Sequence, residues 1–232
     1  YGGTEELTNI YMADGLVAYY PLDETTGNTA NDITTTLPDN DGTHVNFDGD
    51  ELGAPGNLST GYNLSSGAFI NESADSYLLP NLTVSLWFKP KSTPSSGRRL
   101  VYKNRDGSGW SLSYGDAGSG TLRFLFQDLD TVSLDTGGVV DADRWHHVVA
   151  VRDGTRQNRY IYLNSTRQAA LTSDTGVRDT NTNLVSIGAE NDGSRSFDGT
   201  IDDVRIYNRS LSQQEIERLY NYSRGQPGTE QI

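Results

Sequence analysis

Apolar and polar residues alternate one by one over many short stretches of this chain, the period expected of strands that bury one face. Leu16, Ala18, Tyr20 and Leu22 share a face in the first such stretch. Between Asn81 and Lys89, Val84, Leu86 and Phe88 alternate with Thr83, Ser85 and Trp87. From Trp145 to Arg152 both alternating sets are rich in large or branched residues, which predicts a central strand covered on two sides. Shorter strands are expected near 43–47, 68–70, 99–103, 110–114, 121–126, 131–134, 160–163, 168–171 and 184–189, separated by turns rich in Gly, Asp, Asn and Ser.

The pattern changes once, at FDGTIDDVRIYNRSLSQQEIERLY, residues 197–220. A turn at Asp198-Gly199 leads into a strand over Ile201–Tyr207. There strict alternation places Asp202 with Val204 and Ile206, and Asp203 with Arg205 and Tyr207. A short helix follows. Ser212 and Glu215 have capping-box spacing, and Ile216, Leu219 and Tyr220 give the helix one apolar face. Many strands with one terminal helix predict an all-β fold of two stacked antiparallel sheets.

Length and composition narrow the picture. The 232 residues suit one large β domain over residues 15–221, with a lead-in at 1–14 and a tail or linker at 222–232. Without cysteine there are no thiol nucleophiles, thiolate metal sites or disulfides, so the core alone must hold the fold. A formal charge of −13 opposes nucleic acid and anionic lipid as partners, and no apolar run is long enough to insert into a membrane. Asn57, Asn63, Asn71, Asn81, Asn164, Asn208 and Asn221 begin N-x-S/T sequons, seven of seventeen asparagines. Chance would give about three. The excess points to a glycosylated extracellular or cell-surface protein.

Catalytic constellations are hard to assemble from these residues. No strand carries two carboxylates at the spacing that glycoside hydrolysis uses, and Asp202 and Asp203, as strand neighbours, are expected on opposite faces. His146 and His147 diverge for the same reason, and no Gly-x-Ser-x-Gly elbow occurs. The segment DNDGTHVNFDGDE at 39–51 is acidic but lacks EF-hand spacing, and reads as a solvated turn. Trp110, Tyr114, Tyr160 and Tyr162 fall on strands able to line one concave sheet and are the candidate sugar-contacting rings. Asp202, in register with apolar residues, requires a partner: a cation, an ion pair with Arg144 or Arg205, or backbone donors.

GLVAYYPLDE at 15–24, LTVSLWFKP at 82–90, RWHHVVAVRDG at 144–154, YIYLNST at 160–166 and the IDDVRIY strand resemble, in order, the laminin-G-like, concanavalin A-like jelly-roll domains. The resemblance implies an antiparallel two-sheet jelly-roll sandwich with a short C-terminal α-helix. It also implies a structural calcium ion. Asp202 matches the family's acid, and Asp23, Asp32 and Asp48 stand in loops that correspond to its other ligands. The implied function is non-catalytic binding or adhesion toward a glycan or a surface glycoprotein. The alternatives are a glycosylated structural subunit or spacer that assembles with copies of itself on a cell surface, and a glycoside-active enzyme.

Overall fold

The computed structural model describes residues 13–34, 40–65, 67–72, 80–103, 109–127, 132–137, 140–172, 174 and 184–222. Apart from its last two residues, the lead-in lies outside these, as does the tail beyond residue 222. In chain order the strands are β1 (Leu16–Tyr20), β2 (Thr29–Ala30), β3 (Gly42–Val45), β4 (Ala54–Pro55), β5 (Thr60–Leu64), β6 (Phe69–Glu72), β7 (Asn81–Pro90) and β8 (Arg98–Lys103). They continue as β9 (Gly109–Tyr114), β10 (Leu122–Gln127), β11 (Val132–Asp135), β12 (His146–Asp153), β13 (Asn158–Leu163), β14 (Thr166–Thr172), β15 (Val185–Ile187) and β16 (Gly199–Tyr207), before helix α1 (Gln213–Tyr222).

Two antiparallel sheets form. The first has the order β14-β13-β12-β7-β16-β5-β4 with β1 also on β16, and the second runs β11-β10-β9-β8-β15-β6-β3-β2. The sandwich has the two stacked antiparallel sheets that the alternation predicts, and with its short C-terminal helix it is the jelly roll that the resemblance implies. Inward residues of both sheets make one core, including Val84, Leu86, Phe88, Trp110, Phe124 and Ile201. A second apolar cluster lies on the outer face of the first sheet, where Val149, Val151, Tyr207, Ile216 and Leu219 come together beneath α1. Helix α1 is there because its capping box closes: the Ser212 amide donates to Glu215 Oε2 at 2.7 Å, and the Glu215 amide donates back to Ser212 Oγ at 3.4 Å.

Strand β16 runs through the middle of the first sheet. One edge pairs with β7, while the other pairs with β5 over Gly199–Ile201 and then with β1 over Val204–Tyr207. Where the partner changes, the register with β7 slips between Asp202 and Arg205, and Asp203 takes a φ of 60°. The extra residue is a β-bulge, and it resets the side-chain alternation. Directly paired residues share a face. Asp202 lies opposite Trp87 and Arg205 opposite Ser85 on the outer face, while Ile201 opposite Phe88 and Ile206 opposite Val84 face the core. Asp202 therefore does not share a face with Val204 and Ile206, which corrects the expectation from strict alternation. Leu16 departs in the same way: a register shift between Leu16 and Ala18 turns it to the outer cluster, while Ala18 and Tyr20 stay inside.

Candidate functional site

Asp202 is only 1% exposed, and what covers it is the 56–60 turn between β4 and β5. Its Oδ2 accepts the Asn57 amide at 2.7 Å and the Leu58 amide at 3.0 Å. Gly56 fits here because it has no Cβ, which would run into the Thr60 carbonyl and Asp202 Oδ2. Asp23 holds the far side of the same turn, accepting both the amide and the hydroxyl of Thr60 at 3.0 and 3.1 Å. Burial pushes the Asp202 carboxyl up to about 7. The two amides oppose the rise, and the charges of Asp203 and Asp23 add to it. Backbone donors therefore meet Asp202, and the ion pair does not form, since Arg205 pairs with Asp203 and the exposed Arg144 with Asp141.

The four acids proposed for calcium do not converge. Asp32 accepts the Tyr19 and Thr34 amides at 2.9 Å each, and Asp48 accepts the Asp50 amide at 3.2 Å in its own turn. Among the described residues no group of three or more His, Cys, Asp or Glu side chains could share a metal ion. Only Asp23 and Asp202 serve one turn.

Asp203, one residue on, meets a different environment. It is 2% exposed, pairs with Arg205, and accepts the Tyr19 hydroxyl. The Arg205 guanidinium lies 4.1 Å from the Tyr19 ring centroid. Beside this pair, Ser85 Oγ and His147 Nε2 share a hydrogen bond of 2.8 Å, and Trp87 stacks on Tyr220 of α1 with ring centroids 5.5 Å apart. A serine, a histidine and an aspartate thus lie near one another. They do not form a nucleophilic triad, because among the described residues His147 Nδ1 has no hydrogen-bond partner and all three are buried. Burial also pushes the imidazole down to about 3, so it stays neutral. Asp202 and Asp203, expected on opposite faces, come to the same face because of the bulge, but each is sealed.

The four candidate rings separate. Trp110 and Tyr114 are 0% exposed and point into the core, so they offer no face to a sugar. Tyr160 and Tyr162 belong to the outer cluster of the opposite sheet, with their ring centroids 6.3 Å apart and Arg167 5.7 Å from Tyr160. The two pairs do not line one concave sheet. Of the sequon asparagines, Asn63, Asn208 and Asn221 are exposed, and Asn57, Asn71, Asn81 and Asn164 are half-buried. Asn81 and Asn164 also accept backbone amides, from Gly154 and His147, each at 3.0 Å.

A concavity opens at one end of the sandwich. The 91–97 connection between β7 and β8, residues 196–198 before β16, and Ser65 after β5 enclose a cleft of about 510 Å³. Lys91 and Arg98 flank it, and hydroxyls of Ser92, Thr93, Ser95 and Ser196 line it. The visible signal was KSTPSSGRR at 91–99, a hydroxyl-rich run bounded by cations in an acidic chain.

A sandwich of this topology with a terminal clasp defines a lectin-like class, and comparison with known proteins agrees. The model of the concanavalin A-like lectin/glucanases superfamily matches residues 60–217, and the chain belongs to that superfamily. A curated relative, adhesion G-protein coupled receptor V1 of Danio rerio, is 29% identical over 158 residues. The match covers 62% of this chain and 2% of that receptor. Among solved structures, domain 4 of AbnA, a GH43 extracellular arabinanase from Geobacillus stearothermophilus in complex with arabinotriose, aligns with a TM-score of 0.70 at 20% identity. That alignment covers 88% of this chain and 98% of that one. The receptor binding domain of botulinum neurotoxin D aligns at 0.64 with 15% identity over 91% and 53% of the two chains. Trypanosoma rangeli sialidase in complex with the inhibitor DANA aligns at 0.63 with 17% identity over 88% and 32%. At these identities the structures share the fold with this chain. Among the described residues no helix is long and apolar enough to cross a membrane.

Proposed function

We propose that the domain is a non-catalytic, extracellular binding and adhesion module that recognises carbohydrate or a surface glycoprotein. The superfamily match over residues 60–217 is the observation that carries this reading. The adhesion-receptor relative and the likeness to an arabinanase domain in complex with arabinotriose support it. The polar groups that could have been catalytic are sealed under α1 or under the 56–60 turn, which favours binding over turnover. Glycans on the exposed Asn63, Asn208 and Asn221 belong to the same reading.

A structural calcium ion is part of the proposal, with a smaller ligand set than the resemblance implied. Asp202 and Asp23 would hold it together with main-chain oxygens, because calcium takes six to eight oxygens and two carboxylates alone are too few. The ion would supply positive charge where two acids now repel one another and where Asp202 is pushed up to about 7. A glycan array probed with calcium and with chelator tests both parts. Binding to at least one glycan or glycoprotein is expected, with a melting temperature raised by calcium. Failure to bind any of them overturns the binding reading, and a melting temperature indifferent to chelator at pH 8 overturns the metal.

A further inference from the structure

The cleft at the β7–β8 end holds a cation without a partner. Arg98 is half-buried in its wall, and among the described residues no carboxylate forms an ion pair with it. Its neighbour Arg99 pairs with Asp116 at 2.9 Å and Glu190 at 2.8 Å. Arg195 shares those same two acids at 3.3 and 3.4 Å, so that group of four balances its own charge. Lys91 reaches Asp198 only at 3.8 Å, with both side chains more than half exposed, a pairing that contributes little in water. The cleft thus carries two cations against one acid in a chain of net charge −13.

Its other groups narrow the ligand further. The aromatic side chains in the lining, Tyr114 and Phe197, are buried, and the Tyr114 hydroxyl is committed to the Val140 carbonyl at 3.0 Å. Neither presents a ring face for stacking on an apolar sugar surface. What remains is serine and threonine hydroxyls, able to donate to and accept from a polyol, and a guanidinium whose fork matches a carboxylate or sulfate. The rim is closely packed: a Cβ on Gly97 would run into Asp116, and Gly115, at a φ of 81°, sits against Pro94. A preformed polar cleft spares a ligand part of the cost of ordering its site.

We infer that this cleft is the domain's ligand site and that its ligand is an acidic saccharide whose carboxylate or sulfate pairs with Arg98 while its hydroxyls meet the 92–95 loop. The inference rests on the binding-module reading and adds the place and the charge class. Isothermal titration with three probes tests it: an oligogalacturonate bearing only carboxylates, a sulfated heparin-derived octasaccharide, and a neutral arabino-oligosaccharide. Each is titrated into wild type, Arg98→Gln and Asp198→Asn, with Arg144→Gln as a distant surface control. At least one acidic probe is expected to bind, at least tenfold more weakly to Arg98→Gln, more tightly to Asp198→Asn, and unchanged to the control. Which acidic probe binds identifies carboxylate or sulfate.

Melting curves matching wild type confirm that the variants are folded. Binding of the neutral probe alone, or acidic binding that ignores Arg98, overturns this inference and leaves the module reading intact. Binding of none of the three probes overturns this inference, and the module reading falls with it only if the glycan and glycoprotein array is blank as well. Equal binding of a polyaspartate peptide would make the cleft a general anion site and refute the saccharide class.

Discussion

Asp202 and Asp203 are neighbours on one strand, both buried, both on the outer face, and they are held by opposite means. Asp203 has a full counter-charge in Arg205, with the Tyr19 hydroxyl as a further donor. Asp202 has two backbone amides and, among the described residues, no basic side chain, and two like charges stand nearby. The difference lies in what each side of the bulge packs against. On the β5 side a tight turn presents N–H groups, whereas on the β1 side long side chains lie under α1. Burial raises Asp202 by more than its two amides lower it, so that carboxyl titrates high, while Asp203, paired with a guanidinium, becomes part of the scaffold.

Breaking the scaffold side should cost most. Arg205→Met strands Asp203 in a buried site, and the expected loss is about 3–5 kcal/mol in denaturant unfolding at pH 7. Adding Asp203→Asn to that variant should recover much of the loss, because the orphaned charge disappears. A loss below about 1 kcal/mol for the single variant would mean that the pair is not the anchor.

The turn side should reveal itself through pH. The folded-state value of Asp202 is raised to about 7, from an unfolded value near 3.9. The native state therefore holds the proton more tightly, and the stability this gives is complete below about pH 4 and lost as pH rises through 7. Asp202→Asn cannot ionise. Wild-type stability relative to this variant should fall by up to about 1.4 kcal/mol per pH unit across that window, in calcium-free buffer. A flat difference from pH 4 to 8 would show that the turn already neutralises the acid.

The smallest effect belongs to the pair between the two regions. Ser85→Ala removes the partner of His147 Nε2 without touching either acid, and about 1–2 kcal/mol of stability should go with it. Binding should be unchanged. A change in saccharide affinity in this variant would connect the sealed cluster to the ligand.

The elements legible in the sequence were those decided by neighbours along the chain. The capping box at Ser212 and Glu215 and the inward row Val84, Leu86, Phe88 are local patterns, and both appear as read. Strand β5 was missed because Thr60–Leu64 holds only a few residues among turn formers. Trp110 and Tyr114 could have been placed: they alternate with Ser111 and Ser113 and so share the face of Leu112, which is the core. The bulge was not readable from period alone. Its trace is a second consecutive aspartate, a residue type that tolerates a left-handed backbone, at the point where β16 changes partner. Missing it put Asp202 on the wrong face. The cleft escaped because its walls come from segments about a hundred residues apart, which only the closed sandwich brings together.

The central place of β16 also sets the order in which the chain can mature. The strand that joins β7 to β5 and β1 follows every other described strand along the chain, so until residue 207 has left the ribosome the first sheet is three pieces, β14-β13-β12-β7, β5-β4 and β1, with unpaired edges. Contacts between the two ends of the chain make such folding slow and expose those edges to other chains meanwhile. A nascent molecule stalled before Gly199 has every other described strand of its fold and still cannot close its first sheet, so β16 decides between a finished domain and a sticky intermediate.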